Sequence, residues 1–547
     1  MFNTASIVTL LVLTVWSNEC LCDICKVCEC VNTDSGLVAR CRGKFVDESF
    51  NYEFITMNER QPLYKLVLTE NLGAVLSTSQ IRKKMKYLKQ LDLSGNQLEN
   101  VHAVIFQDLH NLEDLSYSDN RLSSFDISIL NTNSALLRLN LSHNEINRLE
   151  RSSYCTLPSL KVLDLSHNNL TDFRDFLDAV PRLEHLDLSS NSLSNLEASL
   201  AYMEFLKSLR ISDNFLLSLN FVHLPLRLKE LHAKGNLISV LEAPKKILIH
   251  VLNLENNRII DLTGEEFTLL EELRHLNVRG NSLSGFPPVT LKHIKSLDLS
   301  FNNLTTIPES ISTTYFPALK VLKVSGNRLE DLILQSELKL EAFEASHMDT
   351  IEEIREDTFG RLSPRENGCI NVTISNCSKL RAIAEDAFRY MNVCSLDLSN
   401  NRFAHFPSRL ISDSRNKNPN YLVNLQGNPL VCNCSLQWML DELVPYLYKT
   451  QPRLLEELRC AGPPVFAKLR LAHWYRWQNK EFCSALSERM IINVAGVSSR
   501  QKTTFNSSSG MLIALGVTAT IFAILMMIGI MLTRKVVLKK RRVNRRF

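Results

Sequence analysis

The sequence predicts an α/β repeat fold: a solenoid with a curved parallel sheet on its concave face, short helical or irregular segments on its convex face, and one transmembrane helix after it. Three observations predict this. One apolar motif recurs from about residue 61 to 430 with a period of about 20–29 residues. Each end of that array carries a group of four cysteines. A charge-free stretch of about 23 residues then precedes a run of basic residues.

The motif reads LKQLDLSGNQL at Leu88, LKVLDLSHNNL at Leu160, LEHLDLSSNSL at Leu183, IKSLDLSFNNL at Ile294 and LKVLKVSGNRL at Leu319. These fit L-x-x-L-x-L-x-x-N/C-x-L, the leucine-rich repeat, and give a leucine-rich-repeat solenoid of about 16 coils. In each coil L-x-L is a short strand whose leucines point into the core. Strands of successive coils pair in parallel, and each coil buries the apolar face its neighbour cannot bury alone. An asparagine closes most motifs, from Asn71 to Asn428. Its amide donates and accepts, so it satisfies backbone groups that the turn buries. Cys377 takes that place as a weak donor. Met348 cannot, so the coil from Leu340 to Ile351 is expected to be locally irregular.

With strands about 4.8 Å apart, the sheet extends on the order of 75 Å, a surface suited to a macromolecule rather than a small substrate. Residues 1–22 read as a signal peptide, since Ser6 to Trp16 is an apolar core too short to span a bilayer. Residues 510–533 are the expected transmembrane helix. Residues 534–547 hold eight Lys/Arg and no acid, which places them in the cytoplasm and the solenoid outside. The topology is type I at the plasma membrane. Between these ends lie an N-terminal cap (23–60), repeats (61–430), a C-terminal cap (431–484) and a polar stalk (485–509).

Cys25, Cys28, Cys30 and Cys41 precede the first strand; Cys432, Cys434, Cys460 and Cys483 follow the last. In a secreted chain these read as disulfides, with three possible pairings in each group. The rival for CDICKVCEC is a metal or iron–sulfur site, which the oxidising route disfavours. With C-x-C followed by Trp438 and two spaced cysteines, the chain resembles the extracellular leucine-rich-repeat membrane proteins with cysteine-rich caps. The resemblance covers nearly all of Cys25 to Cys483. It implies Cys25–Cys30, Cys28–Cys41, Cys432–Cys460 and Cys434–Cys483. Cys155, Cys369, Cys377 and Cys394 lie outside that pattern and are expected to be mostly buried thiols. The ectodomain plan is similar to that of Toll-like receptors. The roughly 15 residues after the span are too few for their cytoplasmic signalling domain, so signalling is expected through a partner.

Catalytic and nucleotide-binding motifs are missing, so neither an enzyme nor a cofactor is expected. The body between the two terminal segments has 54 basic and 57 acidic residues, so no nucleic-acid partner is expected. The expected function is cell-surface recognition or adhesion toward an extracellular protein or glycoprotein. The alternative is a lateral membrane scaffold or co-receptor subunit with no soluble ligand. Anionic inner-leaflet lipid is a candidate partner of the tail. Sequons stand at Asn140, Asn169, Asn303, Asn371, Asn376, Asn433 and Asn506. Several coils keep Asp and Ser on the outward strand positions, but the central ones carry Arg210, His232, Lys234, Arg279 and Lys323. These five are the candidate ligand-binding residues, a basic stripe that Glu255 and Glu344 interrupt or flank.

Overall fold

The computed structural model describes residue 25 and residues 28–43, 62–70, 85–410 and 421–476, except 102, 152–153, 197, 243–244 and 367. The chain divides into two units, 1–480 and 481–547, and every described residue belongs to the first. The signal peptide, stalk, membrane span and basic tail, with Cys483, Asn71 and Asn506, lie outside the described residues. No helix among the described residues is long and apolar enough to cross a membrane.

Eighteen described strands form one sheet. Glu29–Thr33 and Gly36–Arg42 make an antiparallel hairpin, and its second strand pairs in parallel with Leu63–Thr69. From there each of sixteen strands pairs in parallel with the next, ending at Leu422–Asn424. The registers put leucine against leucine. Leu209, Leu231, Leu252, Leu276, Leu297 and Leu322 are consecutive partners, and all are buried. A three-residue strand is too short to stand alone; the column of apolar side chains behind the sheet holds it.

Two polar devices fix each turn. The buried Asn214 donates from Nδ2 to Leu188 O (2.9 Å) and Ile211 O (3.2 Å), and its Oδ1 accepts from Leu193 N (3.0 Å). The same arrangement recurs from Asn96 to Asn428. The Asp of LDLS is a turn fastening: Asp187 Oδ1 accepts from Ser189 N at 2.9 Å, and Asp92, Asp164, Asp298 and Asp397 do the same. The residue before each ladder position takes a left-handed backbone. At Gly280 (φ 67°) a Cβ would meet Asn256 Oδ1 at 2.1 Å, so a side chain there would have to displace that amide.

The coil at Met348 is regular, contrary to expectation. Ala342–Glu344 pairs in register with both neighbours, and Met348 is fully buried. A serine relay takes over: Ser346 N donates to Ser325 Oγ (2.9 Å) and Ser375 N to Ser346 Oγ (3.1 Å). A second difference concerns the repeat cysteines. Cys155 and Cys377 are buried thiols, but Cys369 and Cys394 form a disulfide between adjacent coils. The pairing of Ile370–Thr373 with Val393–Asp397 brings their Cα atoms to 5.2 Å, within bonding geometry that linear spacing does not reveal.

Disulfides also join Cys25 to Cys30, Cys28 to Cys41 and Cys432 to Cys460. Cys434 is disulfide-bonded as well. The C-terminal cap closes on the last coils through Trp438, whose Nε1 donates to Phe406 O at 3.0 Å.

Candidate ligand-binding face

The outward side chains fall into rows that run across the strands. Arg210, His232 and Lys323 belong to one row; Arg210 and His232 are direct partners, and Asn253, Asn277 and Asp298 separate them from Lys323. Lys234 and Arg279 stand two residues further on, in a second row, with Glu255 on the coil between them. The five residues therefore do not make one continuous basic stripe.

Their charges are also largely answered. Glu255 Oε1 lies 3.2 Å from Lys234 Nζ and 3.8 Å from Arg279 Nε. Glu344 lies 3.0 Å from Lys323 Nζ. The Arg279 guanidinium covers the Phe301 ring. Arg210 is exposed and forms no ion pair among the described residues. Burial holds His232 below the usual imidazole range, helped by Arg210 and opposed by Glu230 and Asp187. At neutral pH the open part of the predicted set is Arg210, with a neutral His232 beside it.

A second basic array escaped the sequence reading. Lys207, Lys229, His250, Arg274, Lys295 and Lys320 occupy one position in six consecutive coils. Their backbones are joined directly: each N–H donates to the preceding member's carbonyl at 2.7–2.9 Å. Glu184 pairs with Lys207 at one end, and Glu341 pairs with Lys320 at 2.6 Å at the other. Arg274 has a long contact to Glu272, 3.8 Å. Lys229 and Lys295 form no ion pair among the described residues. His250 stays below the usual imidazole range through burial, then Arg274 and Lys229, with Glu272 and Glu230 opposing; burial, Lys295 and Arg274 do the same to His275. The signal was present in the second letter of LKSL, LKEL, IHVL, LRHL, IKSL and LKVL. Comparing only the letters inside L-x-L-x missed it.

Among the sequons, Asn140 and Asn371 stand on sheet strands, with Asn371 exposed and Asn140 accepting from Ser142 N at 2.9 Å. Asn169, Asn303 and Asn376 are exposed outside the strands. Asn433 caps a short helical turn by accepting from Ser435 N.

Inward leucines, parallel three-residue strands and an asparagine ladder together define a leucine-rich-repeat solenoid. The chain's repeats match the Leucine rich repeat family over residues 61–122 and 115–170, and again over 182–203, 272–294 and 293–313. Acidic leucine-rich nuclear phosphoprotein 32 family member A of Drosophila melanogaster is 39% identical over 83 residues, 15% of this chain and 30% of that protein. Toll-like receptor 10 of Bos taurus is 35% identical over 82 residues, 15% of this chain and 10% of the receptor. The chain spans about a third or less of the length of the curated relatives it matches. Among solved structures, the TLR13–ssRNA13 complex is similar with a TM-score of 0.50 and 21% identity, over 75% of this chain and 56% of that one. That likeness is one of fold.

Proposed function

We propose that this chain is a cell-surface receptor or adhesion protein. It recognises an extracellular protein or glycoprotein through the outward face of the sheet and signals through a membrane partner. One observation carries this. The inward residues of the sheet are nearly invariant from coil to coil, whereas the outward row runs through both signs of charge and a neutral middle: Asp187, Arg210, His232, Asn253, Asn277, Asp298, Lys323, Glu344. A scaffold requirement repeats itself; a surface fitted to one partner does not. The similarity to Toll-like receptor 10 supports a receptor ectodomain. The signal peptide, type I span and basic tail read from the sequence would place that face outside the cell, and the sequons would carry glycans there. The test is capture of candidate ligand-bearing cells by cells displaying the full chain. Capture that fails after charge reversal at Arg210 supports recognition by this face; capture unaffected by any outward substitution rejects it.

A specific feature favours the second reading, a co-receptor held by a lateral partner. Phe215, Leu217, Val240 and Ile260 are 52–67% exposed on successive coils beyond the ladder asparagines. If Leu217→Lys with Ile260→Lys removes a co-purifying membrane protein and leaves cell capture intact, that flank serves the lateral partner.

A further inference from the structure

We infer that the column from Lys207 to Lys320 is a binding surface for a sulfated polysaccharide. It is separate from the rows assigned to protein recognition above. Its failure would leave that assignment standing.

The geometry is linear. Five cations and the imidazole of His250 stand one per coil, at a rise of about 4.8 Å, so the column runs on the order of 24 Å. Direct backbone hydrogen bonds between successive members fix the spacing, because each residue inherits its place from the coil. Acids pair closely with the two end members, through Glu184 and Glu341. In the middle, Lys229 and Lys295 are exposed and unpaired among the described residues. The Arg274–Glu272 contact is long and exposed on both sides, so it yields readily to a stronger anion. The adjacent row on the strands is Ser208, Glu230, Val251, His275, Ser296 and Val321, with Glu230 the one acid. None of the sequons falls on the column. Like charges held in line with few counter-charges gain most from a partner that repeats its own charge along a chain.

The composition of the surface selects among polyanions. Protein interfaces concentrate Tyr, Trp, Phe and Arg and deplete Lys. This column is mostly lysine, and the row beside it holds no Phe, Tyr or Trp. Single-stranded nucleic acid binds through base stacking on successive aromatic rings; Phe205, exposed two residues before Lys207, is a single ring at one end of the column rather than a series. A hydrated chain bearing sulfate groups requires neither an apolar anchor nor a stacking ring. It requires spaced point charges, which lysine supplies.

The test uses the purified full chain in detergent on immobilised heparin, eluted with a salt gradient. The parent should be retained at physiological ionic strength. K229Q/R274Q/K295Q should bind about tenfold or more weakly and elute at lower salt, because three of the column's cations are gone. K339Q/K379Q/K449Q removes three exposed cations elsewhere and should elute with the parent. K229R/K295R keeps the charges and should be retained, which separates charge from folding. Heparin in solution should displace the parent, and desulfated heparin should not. Failure of the parent to bind, equal losses in both triple variants, or equal displacement by polyglutamate or poly(U) at matched charge would overturn the assignment.

Discussion

The guanidinium carbon of Arg279 lies 3.9 Å from the centroid of the Phe301 ring, one coil away. On the ring's other side, Gly326 has φ 65°, and a Cβ there would sit 2.7 Å from Phe301 Cδ1. Neighbouring coils thus meet at this ring, and a side chain at Gly326 would have to displace it. Gly326→Ala should push the ring off the guanidinium and place alanine in left-handed backbone, lowering stability by about 1–3 kcal/mol. Phe301→Ala in the same chain relieves the clash, so the double variant should be less destabilised than the sum of the singles. A double-mutant cycle by thermal unfolding checks this, and additive losses would mean the contact is slack.

The two polar devices of the turn should differ sharply in cost. Asn214→Ala leaves Leu188 O, Ile211 O and Leu193 N short of a partner in a buried turn. The expected loss is about 2–4 kcal/mol. Asp187→Ala removes one bond to Ser189 N at a partly solvated position, where water can replace it; about 1 kcal/mol or less is expected. Urea unfolding of both variants decides. Similar losses would place Asp187 in a larger role than turn fastening.

The Cys369–Cys394 bond closes a loop with a sequence separation of 25 residues. Removing it by Cys369→Ala together with Cys394→Ala should cost about 3 kcal/mol in the chain-entropy account. Non-reducing peptide mapping should find the linked pair. Cys377, whose thiol burial pushes up to about 11, should resist alkylation in the native state at pH 8 and react once the chain unfolds.

Stability should rise with pH through the histidine range. In the folded state His232, His250 and His275 all sit below the usual imidazole value, by burial and by cationic neighbours. The unfolded chain therefore binds more protons than the folded one as pH falls through about 6.5, and the slope of unfolding free energy against pH is positive there. Stability is full above the unfolded value, falls as the pH drops below it, and levels off below the folded values. His232→Gln should flatten part of that slope between about pH 7 and 5. An unchanged slope would assign the effect to the other two rings.

The sequence disclosed the repeat because each inward leucine and each ladder asparagine answers a demand every coil makes. It disclosed Asp187 and its equivalents as repeat features for the same reason. What it hid depends on contact between coils. Cys369 and Cys394 look unpaired until neighbouring strands align them. Ser346 looks incidental until its hydroxyl is seen accepting from Ser375 N beside the missing asparagine. The basic residues of the candidate face were visible one by one, but their row and their partners were not. Lys234 and Arg279 share Glu255, and no spacing rule pairs residues 21 and 24 positions apart in different coils.

That shared carboxylate gives a test of the candidate face itself. Lys234→Glu alone sets two acids beside each other on adjacent coils and should destabilise the turn modestly, since the Glu255 side chain is only 17% exposed. Adding Glu255→Lys rebuilds that pair with its polarity reversed but sets a cation beside Arg279, so it should restore stability in part. The swap leaves net charge unchanged, yet inverts the field that an approaching partner meets between His232 and Arg279. If this face recognises a ligand, the swapped chain should fold and reach the surface as the parent does, while capture of ligand-bearing cells falls about tenfold or more, as expected when charge complementarity is reversed. Stability and capture measured on the same preparation separate the roles. Recovery of both would make Lys234, Glu255 and Arg279 a fastening between coils, leaving Arg210 to carry recognition in this region. Recovery of stability without capture would place the ligand over the second row.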